Sequence, residues 1–322
     1  MRKIKLVFLP FLALILFSSC IAERAYTENE ILMDTVNAIT VYSKEEYENI
    51  VPAAFDLIRE KSNLVDRYSS SSEIFIVNEN ASSFPVEVSS DVFNLISFAL
   101  DMSYETDGVF NIAIGPLVDL WKIGTDEARL PGPEEIEEAL LLCDYKSIVL
   151  DEVNHTVSFL KKGMSIDLGA VAKGWIANEV VSLMKEMGCE KAIVNLGGNV
   201  YVIGEKEEGK SWTVGLQNPD LEFGGSYATV DVSDSSVVTS GAYERFFTAE
   251  DGTRYHHILD PRTGYPSSSD IQSVSIISAD SALADALSTT CFILGVDAAA
   301  EICERWGVSA VLLTLDNDII RL

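Results

Sequence analysis

Basic side chains are scarce in this chain. Its 322 residues hold 23 Lys+Arg against 50 Asp+Glu, a formal net charge of -27. Such a field repels phosphate backbones at long range, so nucleic-acid binding lacks its usual electrostatic drive. An anionic ligand has to be neutralised locally, by a bound cation, by backbone amides or by a few placed Lys and Arg. Histidine is rarer still, with 3 residues, so few groups titrate near neutrality. Proline is limited to 9 residues in a chain that is 48% hydrophobic and 23% charged, which excludes a largely disordered protein. The cysteines form no CxxC pair: Cys143, Cys189, Cys291 and Cys303 lie in apolar helical surroundings and read as buried thiols, not a disulfide framework. GxGxxG and Walker A loops are both missing, which sets aside two common nucleotide cradles. Repeats and low-complexity blocks are absent too, and the length suits one large domain or two closely packed ones.

What is present begins with an export signal. Arg2, Lys3 and Lys5 precede an apolar run from Leu6 to Phe17, too short for an ordinary membrane span, and Ser18 and Ser19 stand ahead of Cys20. Small residues followed by Cys resemble the lipobox of bacterial lipoproteins, with Phe17 where Leu is commoner. Residues 1–19 are then a signal peptide, and lipid on Cys20 anchors an exported protein to a bacterial membrane, in the periplasm or on the outer face of the cytoplasmic membrane. A soluble secreted form and an uncleaved anchor are the alternatives. Loss of residues 1–19 removes three positive charges and leaves the mature chain more acidic.

Residues 20–30 are polar and read as a tether to a domain spanning 31–322. Leu32 to Tyr42 has strand character, Glu45 to Val65 is an amphipathic helix, and Tyr68 to Ser72 is a polar turn. Further helices are expected at Val92 to Tyr104 and from Pro133 to Leu142, and short strands at Lys146 to Leu150 and Thr156 to Leu160. This mixture lacks the even alternation of a doubly wound sheet. The fold class is α+β, with mixed, mostly antiparallel sheets and packed helices.

Five segments are candidates for chemistry. Thr106 to Trp121 places Asp107-Gly108 and Gly115-Pro116 turns around an apolar strip and on its own reads as a buried loop. Ser165 to Trp175 reads as a strand turning through Gly169 into a helix that stops at Gly188, an arrangement whose free amides suit a phosphate, although many such connections bind nothing. Ala192 to Val202 reads as a strand interrupted by Gly197-Gly198, either a bulge or a close ligand approach. Ser240 to Gly264 is a hairpin turning at Asp251-Gly252. On it, adjacent His256 and His257 must face opposite sides, which disfavours a two-His metal pair. The helix from about Asp280 to Leu294 puts Asp285, Ser288 and Thr289 on one face. These are oxygen ligands for a hard ion such as Mg²⁺, or else a solvated polar face.

Taken together, TDGVFNIAIGPLVDLW, IDLGAVAKG, VNLGGN, SGAYERFF followed by HHILDPRTGYP, and ADALST closely resemble the ApbE family of FAD:protein FMN transferases, in the family's order and over nearly all of the chain from Met33. The resemblance implies an exported enzyme that takes FAD as substrate with Mg²⁺ and moves the FMN half to a Thr hydroxyl of a flavoprotein subunit, releasing AMP. The implied acceptor belongs to a membrane redox complex of the Na⁺-pumping quinone reductase or Rnf type. An FAD pyrophosphatase and a non-catalytic flavin-binding lipoprotein are the competing readings.

Carried over by position, the flavin dinucleotide contacts Met33, Tyr68, Val109, Phe110, Asn111, Asp167, Lys173 and His257. The metal sits on Asp285, Ser288, Thr289 and the carbonyl of Ala170. His257 assists the attacking Thr hydroxyl, as general base or by orienting the acceptor. Asn111 stands where the family often has Asp, and Tyr68 favours transfer over hydrolysis.

Overall fold

A computed structural model describes residues 23–43, 49–219 and 225–322. The expected signal peptide 1–19, Cys20 and the expected helix start at Glu45 lie outside them. Strands β1 (Arg24–Leu32) and β2 (Thr35–Ser43) pair antiparallel across a two-residue turn. Its Met33 and Asp34 both have positive φ, 53° and 57°, as a tight right-twisted hairpin demands. Residues 24–30 are therefore strand, not tether. Their side chains are mostly exposed because β1 is the edge of the sheet, so ladder bonds hold a polar run that looks like a linker.

Helix α1 (Ile50–Val65) buries Ile50, Val51, Ala54, Phe55 and Ile58. The polar turn at Tyr68 to Ser72 ends as a helix cap, Ser72 Oγ accepting from Phe75 N at 3.0 Å to start α2 (Glu73–Asn80). After β3 (Val86–Glu87), Ser89 caps α3 (Ser90–Glu105) in the same way. Thr106 to Trp121 is more than a loop. Its second half is a 3₁₀ turn at Ile112–Ile114 running into α4 (Gly115–Trp121), with Pro116 in the first helical turn where no amide is needed. Helix α5 (Pro133–Leu140) follows, then β4 (Ile148–Asp151) and β5 (Thr156–Phe159), which join β3 in a small antiparallel sheet.

Helix α6 (Ala172–Glu186) leads to β6 (Ala192–Leu196) and β7 (Asn199–Ile203). These two strands are a hairpin, which corrects the reading of one interrupted strand: Gly197 and Gly198, at φ 58° and 94°, are the turn itself. Strands β8 (Trp212–Gln217) and β9 (Ser226–Val232) form a separate hairpin. After β10 (Ser235–Gly241) comes the short hairpin β11 (Phe246–Thr248) and β12 (Arg254–His256), then β13 (Ile271–Ser278). The chain closes with α7 (Ser281–Leu294), α8 (Val296–Trp306), β14 (Ser309–Thr314) and β15 (Ile319–Arg321).

The main sheet has eight strands in the order β1-β2-β6-β7-β10-β13-β14-β15, every pair antiparallel, so the α+β expectation holds. One core packs α1 and α6 on β2, β6 and β7; a larger one packs α3, α7 and α8 on β10, β13 and β14. Trp175 of α6 touches both. At their junction α6 and α7 approach so closely that a Cβ on Gly174 would lie 2.2 Å from the Ser281 carbonyl oxygen. The β8–β9 hairpin covers the opposite face through Trp212, Leu216 and Val230. The four described cysteines are free and buried, as the sequence implies.

Candidate active site

The α6–α7 contact sets the first part of the site. Asp280 Oδ1 accepts the amides of Ala282 and Leu283 and starts α7. One turn on, Asp285 is only 5% exposed and Ser288 is fully buried, so this face is not the solvated surface that base rates favour for a polar helix face. It turns inward to meet the N-terminus of α6. The Gly174 amide, in the first turn of α6 where no helical carbonyl is available to it, donates to Asp285 Oδ2 at 2.9 Å. Ser240 of β10 completes the cluster, its Oγ lying 2.8 Å from Ser288 Oγ and 3.5 Å from Thr289 Oγ1.

Burial holds the Asp285 carboxyl above the usual carboxylate range, against the pull of Lys173 and the Gly174 amide. No Lys or Arg pairs with it among the described residues. A buried carboxylate on one helix face with two hydroxyls has the oxygen chemistry that suits a hard divalent cation. Among the described residues no group of three or more His, Cys, Asp or Glu could hold a metal ion.

The histidines divide as strand alternation requires. His256 Nε2 donates to the Ser267 carbonyl at 3.0 Å, its Nδ1 accepts from Ile258 N at 3.3 Å, and its ring meets Phe292 edge-on. Both nitrogens are spent on structure. His257 Nδ1 lies 3.2 Å from the Arg245 carbonyl, which can only accept, so Nδ1 carries the proton and Nε2 keeps its lone pair. The residue is exposed, yet protein packs around much of the ring. This enclosure, with Lys173 and Arg245 charged nearby, pushes its pKa down to about 4. His257 is therefore neutral at physiological pH.

A third group surrounds Arg67. Its guanidinium, 10% exposed, reaches Asp167 Oδ2 and Asp119 Oδ2, each at 2.8 Å. Asp167 Oδ1 accepts the Gly169 amide, and its own amide donates to Ile112 O. Ser165 to Asp167 belongs to no sheet, which corrects the expected strand before α6: the segment is extended but has no ladder partner. Tyr68 lies over the Arg67 guanidinium at 5.4 Å and is 68% exposed, beside a hollow of about 390 Å³ lined also by Val118, Asp119, Lys122 and Ile123.

Other expected contacts stand further back. Val109 and Phe110 are buried in the larger core. Asn111 Nδ2 donates to Cys143 O at 2.9 Å while its Oδ1 accepts the Ala113 amide, a double role that Asp could not fill. Met33 packs at the hairpin end against the α1–α6 core. The structure thus brings Lys173, His257, Asp285, Ser288 and Thr289 together, with Asp167 and Tyr68 joined through Arg67. Sequence reasoning missed Ser240, Arg67 and Asp119. Ser240 opens the SGAYERFF stretch and Asp119 lies within the first motif, but their partners are remote in the chain.

Relatives share this arrangement of segments. A protein of Klebsiella pneumoniae (strain 342) named FAD:protein FMN transferase is 39% identical over 298 residues, covering 92% of each chain. One of the same name from Treponema pallidum (strain Nichols) is 36% identical, covering 92% of this chain and 86% of that one. The crystal structure of the ApbE protein from Thermotoga maritima superposes with a TM-score of 0.84 at 31% identity, over 92% of this chain and 97% of that one. The model of the ApbE family matches residues 33–312, and the chain belongs to that family.

Proposed function

We propose that the protein is an FAD:protein FMN transferase that moves FMN from FAD to a threonine hydroxyl of an exported flavoprotein domain and releases AMP. The observation that carries the reading is an exposed His257 whose Nδ1 is held by the Arg245 carbonyl, leaving Nε2 free, with Lys173 near both it and the buried Asp285. The names of the relatives support it.

The threonine oxygen attacks the phosphorus on the FMN side, the bridging P–O bond breaks, and its electron pair leaves on AMP. His257 Nε2 takes the threonine proton, held in the right tautomer by the Arg245 carbonyl. Lys173, which forms no ion pair among the described residues, offsets the charge of the pyrophosphate in a chain whose overall field repels it. Asp285, Ser288, Thr289 and the Ala170 carbonyl would hold Mg²⁺, which supplies Lewis-acid polarisation of phosphoryl oxygens when bound. Exposed Tyr68 offers a flat face to a flavin or adenine ring and so retains the dinucleotide. Lipid on Cys20 and an acceptor within a membrane redox complex complete the proposal.

Incubation with FAD, Mg²⁺ and a threonine-containing acceptor domain tests it. Covalently fluorescent acceptor together with stoichiometric AMP is the expected result. Free FMN and AMP with unlabelled acceptor would make the protein a pyrophosphatase, and intact FAD would make it a flavin carrier.

A further inference from the structure

The Arg245 carbonyl has a role on His257, but its guanidinium has been given no ligand, and it too is built into the site. It directly precedes β11, where Phe246 pairs with His256, so Arg245 and His257 are the next facing residues. The His257 amide closes onto the Arg245 carbonyl at 3.0 Å. Facing residues of an antiparallel pair project to the same side, which puts the guanidinium and the catalytic imidazole on one surface. From there the Arg245 stem runs over Gly124, at φ 93°, where a Cβ would meet its Cδ at 3.4 Å. Gly124 belongs to the turn after α4 that borders the Tyr68 hollow. The side chain thus spans from the base to the exposed aromatic.

Its charge is unspent. With 50 acidic side chains against 23 basic ones, a site arginine has abundant carboxylates to choose from, and Arg67 takes two of them. Arg245 is exposed and makes no ion pair or side-chain hydrogen bond among the described residues. Lys173, half-buried, likewise makes no ion pair or side-chain hydrogen bond among the described residues. Two uncommitted cations flanking one imidazole in so acidic a chain form a preset cradle for an anion of more than one charge.

We infer that Arg245 is a second cation holding the pyrophosphate of FAD, on the Tyr68 side of His257, and so selects a dinucleotide over ligands with less phosphate charge. The inference rests on the transferase reading. A guanidinium donates in a planar fork to two phosphate oxygens, which an ammonium at the same place cannot match.

The experiment measures the dissociation constant of FAD by flavin fluorescence for the wild type and for Arg245→Ala, Arg245→Gln and Arg245→Lys, at low and high ionic strength. Melting of each ligand-free variant confirms folding. Loss of a charge-assisted contact is expected to weaken FAD by about tenfold or more in the Ala and Gln variants. Lys should restore a large part, and the gap between wild type and Gln should narrow at high salt. Lys no better than Ala would overturn the inference, because packing over Gly124 rather than charge would then be what was lost. Unchanged FAD affinity with a raised KM for the acceptor would overturn it as well, assigning the guanidinium to the acceptor protein. Failure of the wild type itself to bind FAD would defeat the transferase reading instead.

Discussion

Asp285 shows how a single residue can be costly for the fold and necessary for the site. Its carboxylate is 5% exposed, satisfied by one amide, and raised above its ordinary range by burial. In metal-free buffer a charge on that carboxyl is costly to the folded protein, offset only by Lys173 and the Gly174 amide. Asp285→Asn keeps an acceptor for Gly174 and removes that charge, so it should melt at a higher temperature than the wild type without Mg²⁺, while transferring no FMN. Added Mg²⁺ should raise the melting temperature of the wild type alone; an equal rise in the variant would remove Asp285 from the metal site. At His257, whose pKa falls to about 4, the base stays deprotonated through neutral and mildly acidic pH, and transfer should decline only as pH drops toward about 4. The sign for stability follows: below the ordinary 6.5 the unfolded chain takes up a proton that the folded one refuses, so this ring's contribution shrinks as pH falls toward 4. His257→Ala should slow single-turnover transfer by roughly 10² and erase the acid limb. His256→Ala should leave turnover nearly intact but lower the melting temperature, since it gives up two hydrogen bonds and the Phe292 contact. The opposite pattern in the two variants would interchange their roles.

At the scale of elements, helix α6 does its work at one end. Gly174 permits contact with α7 and sends its amide to Asp285, so Gly174→Ala should push the helices apart and cost about 1–3 kcal/mol, with a weaker Mg²⁺-dependent rise in melting temperature. Gly188 past the other end of α6 is the control: nothing lies within 4 Å of its missing Cβ, so alanine there meets only the strain of φ 85°, about 1 kcal/mol, and Mg²⁺ should act as in the wild type. Comparable loss of the Mg²⁺ effect in both variants would show that α6 stability, not the Gly174 contact, governs the site. These elements also show what the sequence could reveal. Period-two alternation separates His256 from His257 because that property is local. The inward turn of Asp285 is not local, for it depends on a glycine in another helix, and base rates for a polar helix face point the wrong way. Gly197-Gly198 was ambiguous because the apolar run continues on both sides of the turn. Arg24 to Leu32 passes for a linker because edge strands can be polar on both faces. The motifs of the ApbE family supplied Lys173, Ser288 and Thr289 where periodicity alone offered alternatives.

For the whole molecule, two electrostatic scales oppose each other. The net charge of -27 acts on an approaching dinucleotide from beyond contact distance, whereas Lys173 and Arg245 act only at close range, beside His257. Salt screens the first interaction effectively, since the Debye length is about 10 Å at 0.1 M, and screens partly buried contacts much less. Added salt should therefore speed FAD association, the reverse of the usual steering of an anion toward a basic cleft. Dissociation should quicken modestly as the cationic contacts weaken, so the equilibrium constant should change less than either rate. Stopped-flow quenching of flavin fluorescence across a salt series resolves both rates. An association rate that falls with salt would mean that the local cations, not the net charge, set the potential an incoming anion meets. Charge-neutral riboflavin separates this effect from any salt-induced change in the protein, because its association should not respond to ionic strength.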